Sequence, residues 1–306
     1  MEVRIIYCIP SLVLYLFVLV ALFREVKVST GYFYSLLITQ TILNIIVFVN
    51  SFYLIQLANT TDSKSWFSVI YTKAPIFITS ISNCLAMHFA YVQTYMTFFI
   101  SLYRMTVITI PTKHIQIWSY AFPLSIAITL LTPFFSTYQL LIYKSWFEED
   151  KISKGFFVTT DANMFIVMTE MLAFMSIFLI VSSGVNVISV AFLCIRAKSF
   201  KQDKAERNMF ILALLDFFIE TAFFVLFVII YDQSGVSDVA DKLIPYASDI
   251  LTFSNAYLLM ILNKRIRKRV LLLIRCSDHS NPPALSQNNH SSAIVVSLSP
   301  APTRSK

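Results

Sequence analysis

Glycine is scarce in this sequence, with 4 residues among 306, and the four are isolated from one another. A dinucleotide-binding fingerprint or a phosphate-binding loop needs clustered glycines, so neither motif can be written anywhere in the chain. The 4 histidines and 4 cysteines form no HExxH or CxxC spacing, which excludes the common zinc and thiol-redox motifs. The sequence therefore predicts no cofactor and no metal, and it argues against an enzyme.

Charged residues are also few, at 13% of the chain, whereas 57% of the residues are hydrophobic. The 28 Phe, 15 Tyr and 3 Trp carry more apolar surface than so few charged side chains could keep dissolved in water. This composition is typical of a membrane protein.

Seven apolar runs approach the roughly 20 residues that a helix needs to cross a bilayer. They are residues 5–23, 32–57, 76–103, 118–140, 164–195, 209–230 and 243–262. Charged and turn residues separate the runs, and the last run is the weakest because Pro245, Asp249 and Asn255 dilute it. We predict an all-α membrane protein with a seven-transmembrane helix bundle over residues 1–263.

The positions of lysine and arginine predict the orientation, because these residues are retained on the cytoplasmic side of a membrane. Most of the 24 Lys and Arg residues fall in segments that become cytoplasmic when the N-terminus lies outside and the C-terminus inside. The lipid bilayer then accounts for the net charge of +7, and no nucleic acid partner is implied. The sequon Asn59-Thr60-Thr61 lies in the first outer interval, where we expect Asn59 to carry a glycan.

The segment 264–276, which follows the last run, is basic and carries an apolar stripe at helical spacing, formed by Ile266, Val270, Leu273 and Ile274. This pattern predicts a short amphipathic helix on the inner leaflet, with Cys276 placed for palmitoylation. The alternative is a plain stop-transfer cluster with a buried free thiol. Residues 277–306 are rich in Ser, Pro and Asn without periodicity, which predicts a disordered cytoplasmic tail.

Four acids fall inside the runs, Glu170, Asp216, Glu220 and Asp249, whereas no Lys or Arg does. Because a lone buried carboxylate is costly, these acids must be protonated, hydrated or bound to a cation. Asp216 and Glu220 are four residues apart and share one helix face. An amine or other cationic ligand would suit the acids, and a buried proton or sodium ion would suit them equally.

A polar stripe follows the third run on one helix face, formed by Asn83, Cys84, His88 and Tyr91. Its side chains either line a ligand cavity between the outer helix halves or hydrogen-bond to neighbouring helices, as polar residues in membrane bundles commonly do. The same two interpretations apply to Asp249 in the outer third of the last run.

Seven spans with an outer N-terminus, a basic third inner loop and a final amphipathic helix suggest a G-protein-coupled receptor. Rhodopsin-like receptors carry an Arg at the inner end of the third helix, with an aliphatic residue four positions on and Pro seven positions on. Arg104, Ile108 and Pro111 match that spacing. Tyr103 stands where those receptors have an acid, and their proline motifs in the sixth and seventh helices are absent.

The same comparison predicts the signalling surface. Arg104 is expected to project from the end of the third helix toward a heterotrimeric G protein, with Pro111 beside it. Arg196, Lys198 and Lys201 make the third inner loop positive, which favours either a G-protein contact or plain topology charge.

Three stretches resemble the nematode serpentine receptors of class gamma, the Srg family, namely residues 7–15, 104–118 and 248–254 in this order. The resemblance covers residues 1–275. It implies a chemosensory receptor of the plasma or ciliary membrane of sensory neurons, which binds a small-molecule ligand and signals to a heterotrimeric G protein. The chain lacks the Pro that the family commonly carries after the last stretch, so we expect the last helix to bend less.

Many receptors of this architecture join the top of the third helix to the second outer loop by a disulfide. Residues 141–163 contain no Cys. We therefore expect Cys84 to be unpaired and this loop to be tethered less firmly.

Three rival functions remain open at this point. A seven-helix ligand-gated cation channel, of the kind insects use for odours, would keep its N-terminus inside, against the Lys and Arg distribution. A small transporter would show repeated halves, and none is visible. A membrane enzyme with a metal at His88 would need ligand spacings that the sequence lacks.

Overall fold

The computed structural model describes residues 2–27, 31–150, 154–196, 204–231 and 237–274. In this part of the chain seven long helices and one shorter helix follow each other, and each long helix overlaps one predicted run. They are α1 Glu2–Val26, α2 Phe33–Ser51, α3 Ile76–Thr109, α4 His114–Leu131, α5 Met164–Arg196, α6 Lys204–Tyr231, α7 Ser237–Leu262 and α8 Lys264–Ile274. The prediction of an all-α membrane bundle is confirmed.

Short elements extend and connect the long helices at one end of the bundle. α2 continues through a π-helical stretch and a last turn, and further short turns precede α3 and follow α4. They are Phe52–Leu57, Ala58–Thr60, Trp66–Ser68, Val69–Thr72, Phe134–Thr137 and Gln139–Ile142. An antiparallel hairpin of β1 Ser145–Glu149 and β2 Phe156–Thr160 follows, with Ser145 opposite Thr160. The apolar pattern predicted no strand in this loop.

Length and apolarity alone qualify five helices in the described residues as membrane spans, namely α1, α2, α4, α5 and α6 with their extensions. A sixth span results when α3 is counted together with Trp66–Thr72, which meets it at an angle of 82°. α7 has 26 residues, enough to cross, but it is not among these spans. The low apolarity of α7 agrees with the prediction that its run is the weakest, because Asp249, Ser254 and Asn255 are polar.

The outward face of α1 shows how the bundle meets lipid. Ile6, Ile9, Val13, Leu16 and Val20 are all exposed, and their alternating spacings of three and four residues place them on one face of the helix. In water such a face would be unstable, whereas against acyl chains it is the expected surface of a spanning helix.

α3 is the central helix of the bundle. It packs against α2, α4, α5 and α6, whereas α1 packs against α2, α7 and α8. Val92, Met96 and Ile100, at spacings of four residues along α3, are almost completely buried in the largest apolar cluster. We refer to the two ends of the bundle as the Asn59 end, which carries the hairpin, and the Arg104 end, which carries α8.

Candidate functional site

A cavity of about 390 Å³ lies between α1 and α7. Aromatic and aliphatic side chains form most of its wall, together with one carboxylate and two serine hydroxyls. The lining residues are Tyr7, Ser11, Tyr246, Asp249, Ile250, Phe253, Ser254 and Tyr257. Helical spacing explains the grouping, because Tyr7 and Ser11 on α1, and Asp249, Phe253 and Tyr257 on α7, recur every four residues.

Asp249 supplies the carboxylate of this cavity and is itself only 7% exposed. The Tyr7 hydroxyl donates to Asp249 Oδ2 over 2.6 Å, and Cys8 Sγ lies 3.9 Å from the same oxygen. Asp249 lies 13 residues before the end of α7, roughly 20 Å from the Arg104 end. The carboxylate is thus positioned by α1 and lies near the middle of α7.

Hydroxyl groups continue along the α1 side of the cavity. Ser11 Oγ donates to the Tyr7 carbonyl over 2.6 Å and lies 2.8 Å from the Tyr257 hydroxyl. Tyr246, Ile250 and Tyr257 are exposed, so the cavity opens at the side of the bundle between the two helices. Asp249 and Ser11 are buried on its inner side.

Phe253 forms the floor of the cavity and connects it to the bundle core. Its ring packs against Tyr15 at 5.9 Å and against Phe48 at 4.8 Å. Behind it, Asn44 donates to the Tyr15 hydroxyl over 2.9 Å and to the Thr252 carbonyl over 3.2 Å. Contacts among α1, α2 and α7 thereby fix the inner wall of the cavity.

The stripe on α3 lies elsewhere, against the segment that follows α4. Asn83 donates to Ser145 Oγ over 3.2 Å. His88 Nδ1 lies 3.3 Å from Thr137 Oγ1, and the His88 ring packs on Phe134 with 4.4 Å between centroids. The structure therefore gives Asn83 a hydrogen bond to strand β1 and His88 a polar contact with Thr137, and neither residue lines the α1–α7 cavity.

Tyr91 belongs to a short chain of hydrogen bonds that joins three elements. Its hydroxyl lies 2.9 Å from Ser136 Oγ, and Ser136 donates to Glu170 Oε2 over 2.5 Å. The chain links α3 to Phe134–Thr137 and to α5. A direct role of Asn83, His88 or Tyr91 toward a ligand stays a prediction.

The described part of the loop of residues 141–163 is attached to the bundle by hydrogen bonds, although the loop contains no cysteine. Ser145 N donates to Ser80 Oγ over 3.0 Å, and Ser63 N donates to the Lys154 carbonyl over 3.0 Å. A Cβ on Gly155 would lie 2.4 Å from the Asn59 carbonyl oxygen, so the hairpin approaches α2 as closely as only glycine allows. Cys84 is a free buried thiol, as predicted.

An aromatic cluster also attaches the hairpin to the neighbouring segments. Tyr71 stacks on Tyr53 at 5.7 Å and on Phe156 at 5.3 Å, and it meets Phe147 edge-on at 4.8 Å. These rings come from α2, the turn before α3 and both strands of the hairpin. Edge-on and offset ring pairs contribute about 0.5–1.5 kcal/mol each beyond the apolar area that they bury.

At the other end, the Arg104 side chain does not project from α3 as expected. It is 7% exposed, and its guanidinium carbon lies 3.5 Å from the centroid of the Phe33 ring. Tyr103 packs on the same Phe33 ring at 5.7 Å. The arginine is thus folded against the first turn of α2, and its coupling role stays a prediction.

The turn after α3 is organised by Trp118. Its ring packs edge-on against Tyr103 at 5.0 Å, and its Nε1 donates to Thr106 Oγ1 over 2.7 Å. Pro111 lies exposed in this turn, and its carbonyl oxygen is 2.7 Å from His114 Nδ1. Trp118 therefore fixes the geometry that connects Arg104 to Pro111.

α8 packs on α1 through part of the predicted stripe. Ile266 and Val270 are completely buried, whereas Ile274 is exposed. Arg269 Nη2 forms an ion pair with Glu25 Oε2 at 2.8 Å. Asn263 Oδ1 accepts a hydrogen bond from Ile266 N over 3.2 Å, which caps the start of α8.

The remaining predicted positions are partly beyond reach of the structure. Asn59 is exposed at the Asn59 end, as a glycan acceptor must be, and Arg196 is the last residue of α5. Lys198, Lys201 and Cys276 lie outside the described residues. The roles of all five stay predictions.

Sequence reasoning missed Tyr7, Ser11 and Glu25. Tyr7 and Ser11 belong to the stretch 7–15 that carries the family resemblance, and their spacing of four residues was a usable signal. Glu25 falls in the charged interval after the first run, and nothing in the neighbouring sequence shows that its partner lies in α8.

Comparisons with known proteins identify the family of this chain. A model of the family described as "Srg family chemoreceptor" matches residues 2–270. The protein named serpentine receptor class gamma-31 of Caenorhabditis elegans is 25% identical over 280 residues, which cover 87% of this chain and 89% of that protein. Since the family model covers nearly the whole membrane region, the chain belongs to the Srg family of chemoreceptors.

Proposed function

We propose that this chain is a G-protein-coupled chemosensory receptor that binds a small ligand in the cavity between α1 and α7. The observation that carries the proposal is the buried carboxylate of Asp249 in the wall of this cavity. An apolar cavity with a few converging polar groups is typical of small-molecule sites. Membership of a chemoreceptor family supports the same function.

The chemistry of the cavity favours a small cationic ligand with an apolar body. Asp249 would accept a charge-assisted hydrogen bond from a protonated amine, while Phe253 and Ile250 would contact its hydrocarbon part. The hydroxyls of Tyr7 and Ser11 offer further hydrogen bonds. Because the mouth lies at the side of the bundle, the hydrocarbon part of such a ligand would lie toward the lipid phase.

The signalling surface belongs to the Arg104 end in this proposal. Arg104, Pro111 and the basic segment with Arg196, Lys198 and Lys201 would contact a heterotrimeric G protein. With the N-terminus outside and the C-terminus cytoplasmic, this end faces the cytoplasm. The family supports a role in the plasma or ciliary membrane of sensory neurons.

The test is a panel of small aliphatic and aromatic amines, each paired with the alcohol of the same carbon skeleton. Cells that express the chain with a broadly coupling G protein are expected to respond to amines and not to alcohols. Asp249→Asn should weaken the potency of an active amine at least tenfold, because a hydrogen bond to a charged group contributes about 1.5–3 kcal/mol.

Glu170→Gln is the matched control, since Glu170 is an acid on α5 that accepts from Ser136 and does not line the cavity. It should leave the amine potency unchanged. Equal potency of the wild type and Asp249→Asn at equal surface level would contradict the proposed site.

A further inference from the structure

Two carboxylates lie buried in the middle of the bundle, away from the proposed ligand cavity. Asp216 and Glu220 share one face of α6 and are 6% and 2% exposed. Asp216 Oδ2 and Glu220 Oε1 are inaccessible to solvent and have no hydrogen-bond partner among the described residues. Buried oxygens of this kind need a proton or a cation.

The facing side of α3 presents hydroxyl groups to these acids. Thr94 and Thr97 hydrogen-bond to the Glu220 carboxylate. Ser101, four residues further on the same face of α3, is 1% exposed, and its Oγ also has no partner in the described part of the chain. Ser101 therefore adds a third unsatisfied oxygen, and this one comes from another helix.

The depths of these groups match. α6 packs against α3 and runs antiparallel to it, because Asn208 in its first turns bonds the Leu262 carbonyl at the Arg104 end. Asp216 is one turn closer to that end than Glu220, as Ser101 is relative to Thr97. Asp216 and Glu220 also interact electrostatically, and Ser101 and Thr97 lie at the corresponding levels of α3.

Charge balance requires a counter-ion at this depth. No Lys or Arg lies within the apolar runs that form the bundle interior. Arg104 is seven residues beyond Thr97, about 10 Å along the helix axis, and its guanidinium stacks on Phe33. Two carboxylates left charged in a membrane interior would be strongly destabilising.

The donor set selects the type of ion. All of its members are oxygens, which suit hard cations. The described residues contain no group of three or more His, Cys, Asp or Glu that could hold a metal, which disfavours a divalent ion, since such ions usually collect more carboxylates. We propose that Asp216, Glu220, Thr97 and Ser101 bind a sodium ion that links α6 to α3. This inference does not depend on the proposed ligand site.

The test uses the full chain purified in detergent. Its thermal unfolding is compared in sodium chloride, potassium chloride and choline chloride at equal ionic strength, and uptake of radioactive sodium is measured at equilibrium. We expect one sodium ion per chain and a melting temperature several degrees higher in sodium than in choline. Asp216→Asn and Glu220→Gln should each abolish the sodium-dependent shift.

Two variants make the result specific. Ser101→Ala removes one ligand and should weaken sodium binding without abolishing it, whereas Glu170→Gln, an acid on α5, should keep the full shift. The melting temperature in choline shows that each variant is folded. Equal stability of the wild type in sodium and choline would overturn the site, and an equal shift in potassium would overturn the assignment to sodium.

Discussion

At the residue scale, the aromatic ring of Phe33 on α2 packs against the guanidinium of Arg104 on α3. Tyr103 stands where rhodopsin-like receptors have an acid, and the guanidinium carbon of Arg104 lies 3.5 Å from the Phe33 ring centroid. A buried cation–π contact contributes about 2 kcal/mol or more. The arginine is therefore held at the Arg104 end by an aromatic face on α2.

This contact predicts that Phe33 restrains signalling. Phe33→Leu removes the ring while keeping an apolar side chain, so basal G-protein activity should rise severalfold as Arg104 is released. Arg104→Ala should abolish both basal and ligand-driven activity at unchanged surface level. Both can be measured as second-messenger production in transfected cells.

Phe52→Leu is the control, since it makes the same change at the far end of α2 and should leave basal activity as in the wild type. A Phe33→Leu variant with wild-type basal activity would show that the contact does not restrain the receptor. Normal signalling by Arg104→Ala would remove the coupling role.

At the element scale, α8 is held by an apolar face and by an ion pair to α1. Ile266 and Val270 are buried against the bundle, and Arg269 reaches the 5% exposed side chain of Glu25 at 2.8 Å. The hairpin is likewise held by contacts between separate segments, in this case by aromatic side chains. Both attachments join residues that are far apart in sequence, so periodicity within one element could not reveal them.

The ion pair predicts that the stability of the protein falls when one charge is removed and recovers in part when the two charges are exchanged. Arg269→Ala leaves Glu25 buried without its partner and should lower stability by about 1–3 kcal/mol, less than for a fully buried pair because Arg269 is 28% exposed. The exchange Glu25→Arg with Arg269→Glu should recover part of the loss. Thermal unfolding in detergent measures both.

Lys268→Ala is the matched control, because Lys268 is the exposed neighbour of Arg269 on α8. It should unfold at the wild-type temperature. If Arg269→Ala and Lys268→Ala unfold alike, the Glu25 contact does not stabilise the protein.

At the scale of the whole molecule, the orientation of the bundle in the membrane decides which end faces the outside and which faces the cytoplasm. α7 is the helix least suited to cross a bilayer by composition, yet it packs against α1, α2 and α6 and contributes Asp249 to the cavity. Neighbouring helices thus shelter its polar residues, as membrane bundles require. If all seven long helices cross the bilayer, as we predict, the Asn59 end and the Arg104 end lie on opposite sides of the membrane.

We predict an N-terminus outside and a glycan on Asn59. An epitope tag at the N-terminus should be accessible on intact cells, and a tag at the C-terminus only after permeabilisation. Asn59→Gln should remove one glycan, which is seen as faster migration of the protein on a gel. Asn289→Gln, at the sequon of the C-terminal segment, serves as the control and should change nothing. A cytosolic N-terminal tag would favour the channel interpretation over the receptor.

The sequence predicted the site only in part, for a physical reason. It named Asp249 as an intramembrane acid because charge inside an apolar run is conspicuous in a sequence. It also placed Asn83, His88 and Tyr91 on one face of α3. A helical period shows which residues share a face, but it does not show which neighbour that face meets, so the partners in residues 134–145 were not foreseen.

By itself the sequence determined the class of protein, the position of each long helix and the family, because a membrane span must be long, apolar and hydrogen-bonded within itself. Only the tertiary structure decided which polar groups meet. The bond from Tyr7 to Asp249 joins residues 242 positions apart, and the hairpin packs on α2 through aromatic rings from four segments. Such contacts depend on how helices lie against each other, which no local pattern in the chain encodes.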